Sequence, residues 1–354
     1  MKDLILNETP IRTSKNYNIN NIKLDNIEIP TNVQSFENVI ISSDSSKNKI
    51  SKEPNNFELT YGVGEELVNQ VRNKANQKIK VTIEGKTNKN INIEYKFDEF
   101  NLNLIDNVEI IANENSKATV IIKYESSEDI KCFHNGVLRL TAKENSEIDV
   151  IILNVLNSNS NNFISIQNDF ESNAKVKYTI VDFGGKNSVT NYFSNLLGDT
   201  SDNKLNVIYL GKDEQLFDLN YIGELRGKKS NIDIEVQGAL KDNARKHFKG
   251  TIDFKKGAKK ATGNENEFCM LLSDTAKSLA LPMLLCSEED VSGNHSSSAG
   301  KFDEKELFYI MSRGFGIKEA MKLMVRARFN NIISEIKVEE IRNRIAYEIE
   351  KRLD

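Results

Sequence analysis

Histidine is the scarcest reactive side chain in this sequence. Only three occur in 354 residues, too few for a His-rich metal site, and their spacing supports no Ser-His-Asp arrangement. Cysteine is as sparse. Cys132, Cys269 and Cys286 are odd in number, far apart and outside any CxxC pair, which argues against a disulfide framework or a structural zinc knuckle. Each is expected to be a buried thiol. No stretch reaches the roughly 18 consecutive apolar residues of a membrane span, and the start, "MKDLILNETPIRTSKNY", carries only a short apolar patch. A cytoplasmic protein without membrane contact is expected. Positive charge is also short: 48 Lys and Arg against 52 Asp and Glu leave a net charge of −4. That field gives no attraction for nucleic acid or anionic lipid.

Three of the four prolines (Pro10, Pro30, Pro54) fall in the first 60 residues, which are polar and rich in Asn and Ser. Extended or loosely ordered chain is expected there. A short helix fits "GEELVNQVRNKAN", Gly64 to Asn76, where Leu67, Val71 and Ala75 recur at four-residue spacing.

What the sequence does contain is a repeat. "KATV" (Lys117 to Val120), "EIDV" (Glu147 to Val150), "KVKY" (Lys175 to Tyr178), "KLNV" (Lys204 to Val207) and "NIDI" (Asn231 to Ile234) share one polar-apolar alternation. Their last residues lie 30, 28, 29 and 27 positions apart. The first two copies agree further, "ANENSKATVII" against "AKENSEIDVII", and small or turn-forming residues precede each segment. Strands recurring at such an interval mark a solenoid. Parallel coils would stack Ala118, Ile148, Val176, Leu205 and Ile232 in one inward ladder. The end coils then need covering, for which the N-terminal segment and the C-terminal helices are candidates. An antiparallel sandwich would require hairpins every 8 to 12 residues, and the turn signals support it less well.

The period changes near the C-terminus. "FDEKELFYIMSRG" opens on Asp303 three residues before Glu306, a helix N-cap with its capping-box partner, and closes on Arg313-Gly314. A second helix is predicted from Ile317 to Ile336 with Ala320, Leu323, Met324, Ala327 and Ile332 on its apolar face. A third runs from Val338 to Leu353 with Val338, Ile341, Ile345, Ile349 and Leu353. Their stripes must pack on each other, on the end of the solenoid or on a partner. The chain is thus mainly β: residues 1–77 a polar segment with a short helix, 78–300 the solenoid core, 301–354 a helical domain.

Several motif-like stretches fail as sites. "GELRGKKS" (Gly223 to Ser230) has only three residues between its glycines where a phosphate loop needs four, and "YGVGEE" reads as a turn before a helix. The basic run Ala244 to Lys260 reads as a solvated strand and turn. His295 is left, set among Ser, Gly and Asn where the β pattern ends. By its residues alone it is a structural histidine bonded to its loop.

The surrounding stretch, "LLSDTAKSLALPMLLCSEEDVSGNHSSSAGKFDEKELFYIMSRGFGIKEAMKLM" (Leu271 to Met324), resembles the SufB/SufD family of iron–sulfur cluster assembly proteins. The shared features are Leu-Ser-Asp, an Ala-Lys pair, a following Pro, an acidic-acidic-Val step, a His before small residues and Gly, and "LFY…SRG". "TPIRTSKNY", Thr9 to Tyr17, is similar to the family's start. The resemblance implies a right-handed parallel β-helix with an N-terminal segment and a C-terminal helical domain. It implies a SufB–SufD heterodimer formed through the β-helices, or a homodimer in isolation, and a SufC-type ABC ATPase docked on the C-terminal helices. The complex would be a non-catalytic scaffold with no permanently bound cofactor, sharing a transient iron–sulfur cluster with the SufB-like partner.

SufB proteins usually carry Glu directly after the corresponding His; here Ser296 stands there, which implies the SufD role over the SufB role. By the resemblance, His295 is the ligand or proton-handling group at the heterodimer interface, and Cys269 is a weaker candidate for the same site. Leu307, Phe308, Arg313, Gly314 and Ala320 are the candidate ATPase contacts. The readings from other classes are a β-helix carbohydrate-active enzyme and a purely structural binding solenoid. The first needs a ladder of Asp, Lys and Arg along one strand, and none is seen.

Overall fold

The computed structural model describes residues 2–13, 19–43, 45 and 48–354. Ser14 to Tyr17, within the family-like start, lie outside the described residues. The chain opens with β1 (Lys2–Leu6), β2 (Ile22–Ile27), β3 (Val39–Ser43), β4 (Asn48–Ser51) and α1 (Glu65–Lys74). Eight coils follow, each made of two strands. They are β5 (Gln77–Ile83) with β6 (Lys86–Phe97), β7 (Asn103–Ala112) with β8 (Lys117–Ser126), and β9 (Phe133–Ala142) with β10 (Glu147–Val155). Next come β11 (Asn161–Phe170) with β12 (Lys175–Asp182), β13 (Asn187–Leu196) with β14 (Asp202–Gly211), and β15 (Leu216–Leu225) with β16 (Asn231–Leu240). The last are β17 (Arg245–Phe254) with β18 (Thr262–Leu271), and β19 (Lys277–Cys286) with β20 (Ser292–Lys301). Odd-numbered strands from β5 form one parallel sheet and even-numbered strands from β6 the other. Their inner faces close on a single apolar lumen.

The corners explain how so regular a coil forms. Asn115, Asn145 and Asn173 sit at successive corners with φ of 59°, 58° and 58°. This left-handed region is one that Asn enters at lower cost than most residues. Each corner N–H then bonds to the next corner. Asn115 donates to Glu144 O (3.0 Å), Asn145 to Ser172 O (3.1 Å) and Asn173 to Asp199 O (2.9 Å). The same chain of bonds continues through Thr200 and Lys229, which occupy the equivalent positions with φ of 57°.

Parallel stacking is as the repeat predicts, with one correction to its register. Ala118, Ile148 and Val176 stack directly, but the next residue in that ladder is Asn203, followed by Ile232. Leu205 points inward two residues further on, between Tyr178 and Ile234. A buried asparagine replaces an aliphatic side chain there. Its Nδ2 donates to Val176 O (3.2 Å), and its Oδ1 accepts from Tyr192 Oη (3.1 Å). Hydropathy alone therefore selects the wrong turn of the pattern. In the coils beneath the N-terminal segment the odd-numbered strand escapes the repeat because its outer face is also covered. Phe133, Val137, Phe163 and Val189 pack under the N-terminal segment, which removes the polar alternation.

That segment is more ordered than its composition predicts. β1 and β2 pair antiparallel and bury Leu4, Leu6, Ile22, Leu24 and Ile27 together with Leu67 and Val71 of α1. β3 and β4 pair antiparallel with β6 and β5, so the N-terminal edges of both sheets are covered by the chain itself.

The C-terminal helices do not cap the other end. They are α2 (Glu304–Ser312), α3 (Ile317–Ile333) and α4 (Glu339–Leu353). α3 and α4 lie on the outer face of the even-numbered sheet, burying Val325, Phe329, Ile332, Ile341, Ile345 and Ile349 against Ile121, Ile151, Leu153, Val181, Phe183 and Ile208. On α3 the buried stripe takes in Val325 and Phe329, leaving Leu323 and Ala327 exposed. α2 has the predicted N-cap and C-terminal glycine: Asp303 accepts from the N–H groups of Lys305 (2.8 Å) and Glu306 (3.4 Å), and Gly314 takes φ 97° just past the helix, but the Glu306 side chain does not close the predicted capping box. It buries no residue of its own.

Candidate functional site

The far end of the solenoid is open. β19 pairs only with β17, and β20 only with β18, so each presents a free edge. Leu279 and Leu284 on β19 are 38% and 40% exposed, and most of β20 is exposed. His295 stands on β20, in strand rather than in the loop that its Ser- and Gly-rich setting suggests. It pairs in register with Glu265 of β18. Paired residues of a parallel sheet face the same way. Ser297, on the same face as His295, donates its hydroxyl to Glu267 Oε2 at 2.7 Å. His295 therefore sits on the lumen side of the terminal rung, open to solvent because no further coil covers it.

Beneath that rung lies a cluster of polar groups in the lumen. Glu267 Oε1 accepts from Lys246 Nζ (2.7 Å) and Tyr209 Oη (3.3 Å), and neither Lys246 nor Glu267 is exposed. Glu265 is 1% exposed and both of its carboxyl oxygens lack a hydrogen-bond partner. Burial, reinforced by the charge of Glu267, pushes its carboxyl up to about 8. Gly250 makes room for it, since a Cβ built there would come within 2.1 Å of Glu265 Oε2.

The basic run is thus only partly a solvated strand. Lys246 and Lys249 are buried, the latter bonded to both oxygens of Asp218 at 2.6 and 2.7 Å. Ion pairing buried two of its cations, Lys246 in the lumen and Lys249 on the opposite face of the strand beside Asp218, and hydropathy carries no signal of that. On the same strand His247 lies 3.8 Å from Asp218, its pKa lowered by burial. The remaining histidine, His134, is sealed in the lumen between Asp106 (2.9 Å) and Asn162 (2.6 Å).

The thiols divide. Cys269 lies in the core of the lumen and burial raises its pKa. Cys132 is buried and pushed up to about 11 by the same cause. Cys286, contrary to expectation, is exposed at the end of β19, its Sγ donating to Glu288 O at 2.9 Å. The terminal strand leaves that corner uncovered. Among the described residues no three His, Cys, Asp or Glu side chains gather closely enough to hold a metal ion, and no helix is long and apolar enough to cross a membrane.

A second surface lies on the helices. Phe308 is 73% exposed, and Tyr309, Met311, Phe315, Ile317 and Leu323 are exposed around it. A groove of about 820 Å³ runs between α2 and α3, lined by Met270, Tyr309, Ile310, Leu323, Met324 and Arg328 among others. Of the residues singled out by sequence, Phe308, Arg313 and Gly314 are exposed and Leu307 is half-buried. Ala320 is fully buried, so it packs the helices and does not reach the surface.

Fold and site together define a two-sheet β-solenoid, closed at its N-terminal end and open at its terminal coil, with an apolar helix standing off its flank. Residues 97–328, well over half of the chain, match the family model of the SufBD core domain of SUF-system FeS cluster assembly. The chain belongs to the SufB/SufD family of iron–sulfur cluster assembly proteins, and within it is most like SufD. It is 25% identical over 252 residues, 71% of its length, to the iron–sulfur cluster assembly protein SufD of Bacillus subtilis. A SufBD family protein of Mycobacterium leprae is 38% identical over 85 residues (24% of this chain), and one of Pyrococcus horikoshii 29% over 170 (47% of this chain). The matches span 58%, 22% and 37% of those proteins' own lengths, so the chain covers less than two thirds of each.

Proposed function

We propose that this chain is the SufD-like, non-catalytic subunit of a cytoplasmic iron–sulfur cluster assembly scaffold. In this reading it pairs with a SufB-like subunit through the open end of its solenoid and docks a SufC-type ABC ATPase on its C-terminal helices. ATP hydrolysis belongs to that ATPase, and the nascent cluster is transient cargo shared across the pair. His295 contributes an imidazole at the shared edge, where a neutral ring can ligate iron.

The observation that carries the reading is the asymmetry of the two ends. At the N-terminal end the edge strands β3 and β4 are only five and four residues long, whereas β19 and β20 present ten-residue edges beside exposed Leu279 and Leu284. Free sheet edges with apolar flanks are joined by another chain or blocked against it; Pro282 removes one backbone donor from β19, and β20 carries no proline. Support for the ATPase comes from α2, which buries no residue and leaves Phe308, Tyr309 and Met311 exposed.

The test is co-purification of the full chain with a SufB-like subunit and a SufC-type ATPase. Phe308→Asp with Tyr309→Asp should remove the ATPase and leave the SufB-like subunit bound, because α2 buries nothing. A proline on the free edge of β20 (Ala299→Pro), at a position whose N–H does not belong to the ladder with β18, should do the reverse. ATPase retained by the α2 variant, or SufB-like subunit retained by the β20 variant, would place the corresponding contact elsewhere.

A further inference from the structure

Among the described residues Glu265 is the one carboxylate in the lumen that is buried and makes no hydrogen bond through either oxygen. Its neighbour Glu267 has the same burial and is fully satisfied by Lys246, Tyr209 and Ser297. Leaving an acidic group unbonded in an apolar interior is costly, and native interiors rarely retain one without a use. The chain has also shaped a space for it: Gly250 opposes the carboxyl where any Cβ would collide. What the group lacks is a donor or a cation, since Lys246 is committed to Glu267 and Glu265 has no lysine of its own.

One rung outward stands His295, on the same face and on the free edge strand, with no side-chain hydrogen bond among the described residues. A carboxylate and an imidazole on adjacent rungs are a ligand pair suited to first-row divalent cations. Two protein ligands are fewer than a permanent cage uses, in keeping with the absence of any three-residue cluster among the described residues. Such a site takes a cation and gives it up again, its other positions filled by water.

We infer that Glu265 is a metal ligand of this chain, holding a first-row divalent cation with His295 under the open end of the lumen. The inference rests on the reading of His295 given above and extends it to a buried residue that the sequence resemblance does not mark. It concerns the chain alone and needs no partner subunit.

Cobalt(II) is the probe. The purified full chain is titrated with cobalt(II) chloride, following visible absorption and the metal retained on equilibrium dialysis. One cobalt per chain is expected, with Glu265→Gln and His295→Ala each weakening it tenfold or more. His247→Ala, which alters the other solvent-reachable imidazole, should leave binding unchanged. If Glu265→Gln does not fold, Glu265→Asp takes its place, keeping the charge but withdrawing it by one methylene, with the same loss expected. Wild-type affinity in the folded Glu265 variant overturns the inference, as does binding insensitive to both substitutions or absent from the wild type. Failure of the chain to join a SufB-like subunit would count against the scaffold reading and leave the cobalt result untouched.

Discussion

Lys246 and Glu267 meet in the lumen with 2.7 Å between Nζ and Oε1, and neither side chain is exposed. The pair lies one rung inside the open end, and its second carboxylate oxygen is held by Ser297 of the edge strand. The charge pair joins the two strands of one coil, and the Ser297 hydroxyl ties that coil to the terminal one.

Removing one member should therefore cost far more than removing both. Lys246→Met leaves a buried carboxylate uncompensated, and a loss of about 3–5 kcal/mol is expected. Adding Glu267→Gln should restore much of it. Urea midpoints of the single and double variants measure the difference, and equal losses would show that the lysine acts by packing alone.

The helical module is tied to the even-numbered sheet by Glu335, whose carboxylate meets Lys177 and Lys204, each at 2.8 Å. Burial opposes its ionisation, but the two lysines outweigh burial and hold its pKa down to about 2. A depressed carboxylate stabilises the fold above its ordinary pKa, and that contribution fades as pH falls from about 4.5 towards 2. Glu335→Gln should abolish the contribution at neutral pH. Because the group is partly exposed, the expected cost is only about 1 kcal/mol. Hydrogen exchange in α3 and α4 should rise in the variant, and should rise in the wild type at high salt.

Asp182 has the opposite sign. Burial raises its carboxyl to about 6 despite bonds from Ser188 (2.7 Å) and Asn154 (2.8 Å). The folded state then binds its proton more readily than the unfolded state. This group adds stability as pH falls from about 6 to about 4 and nothing further below that. The wild type minus Asp182→Asn difference in unfolding free energy should change by about 3 kcal/mol across that window. A difference independent of pH would mean that the carboxyl is ionised in the fold.

Lys229 holds φ 57° at a corner where three other coils carry asparagine. Gly adopts that conformation without the Cβ penalty, so Lys229→Gly is expected to raise stability by about 1 kcal/mol. Lys229→Val should lower it by a similar amount or more. Thermal unfolding midpoints decide the sign.

His295→Ala is expected to change stability by no more than about 0.5 kcal/mol, because the side chain is exposed and makes no side-chain hydrogen bond among the described residues. Iron and sulfide accumulation by the complete complex should fall. A lowered melting temperature with cluster content tracking the folded fraction would indicate a structural histidine.

The sequence by itself determined the coil. Turn-forming residues recur before a polar-apolar strand, and the left-handed corners at Asn115, Asn145 and Asn173 follow from what asparagine tolerates. The caps of α2 were equally legible, because a cap is a contact within one turn of chain. Tertiary structure alone decided the rest. Asn203 takes a lumen rung because Tyr192 and Val176 supply its hydrogen bonds, and these come from other strands, 11 and 27 residues away. Lys246 turns inward because Glu267, 21 residues on, is there to meet it. The N-terminal segment is ordered because a sheet face exists for it to cover. Burial of a polar group depends on its partners, and those partners are assembled only when the coils stack. For the same reason the open end could not be read from residue types: whether Glu265 and His295 face a lumen or solvent is fixed by which strand is last in the sheet.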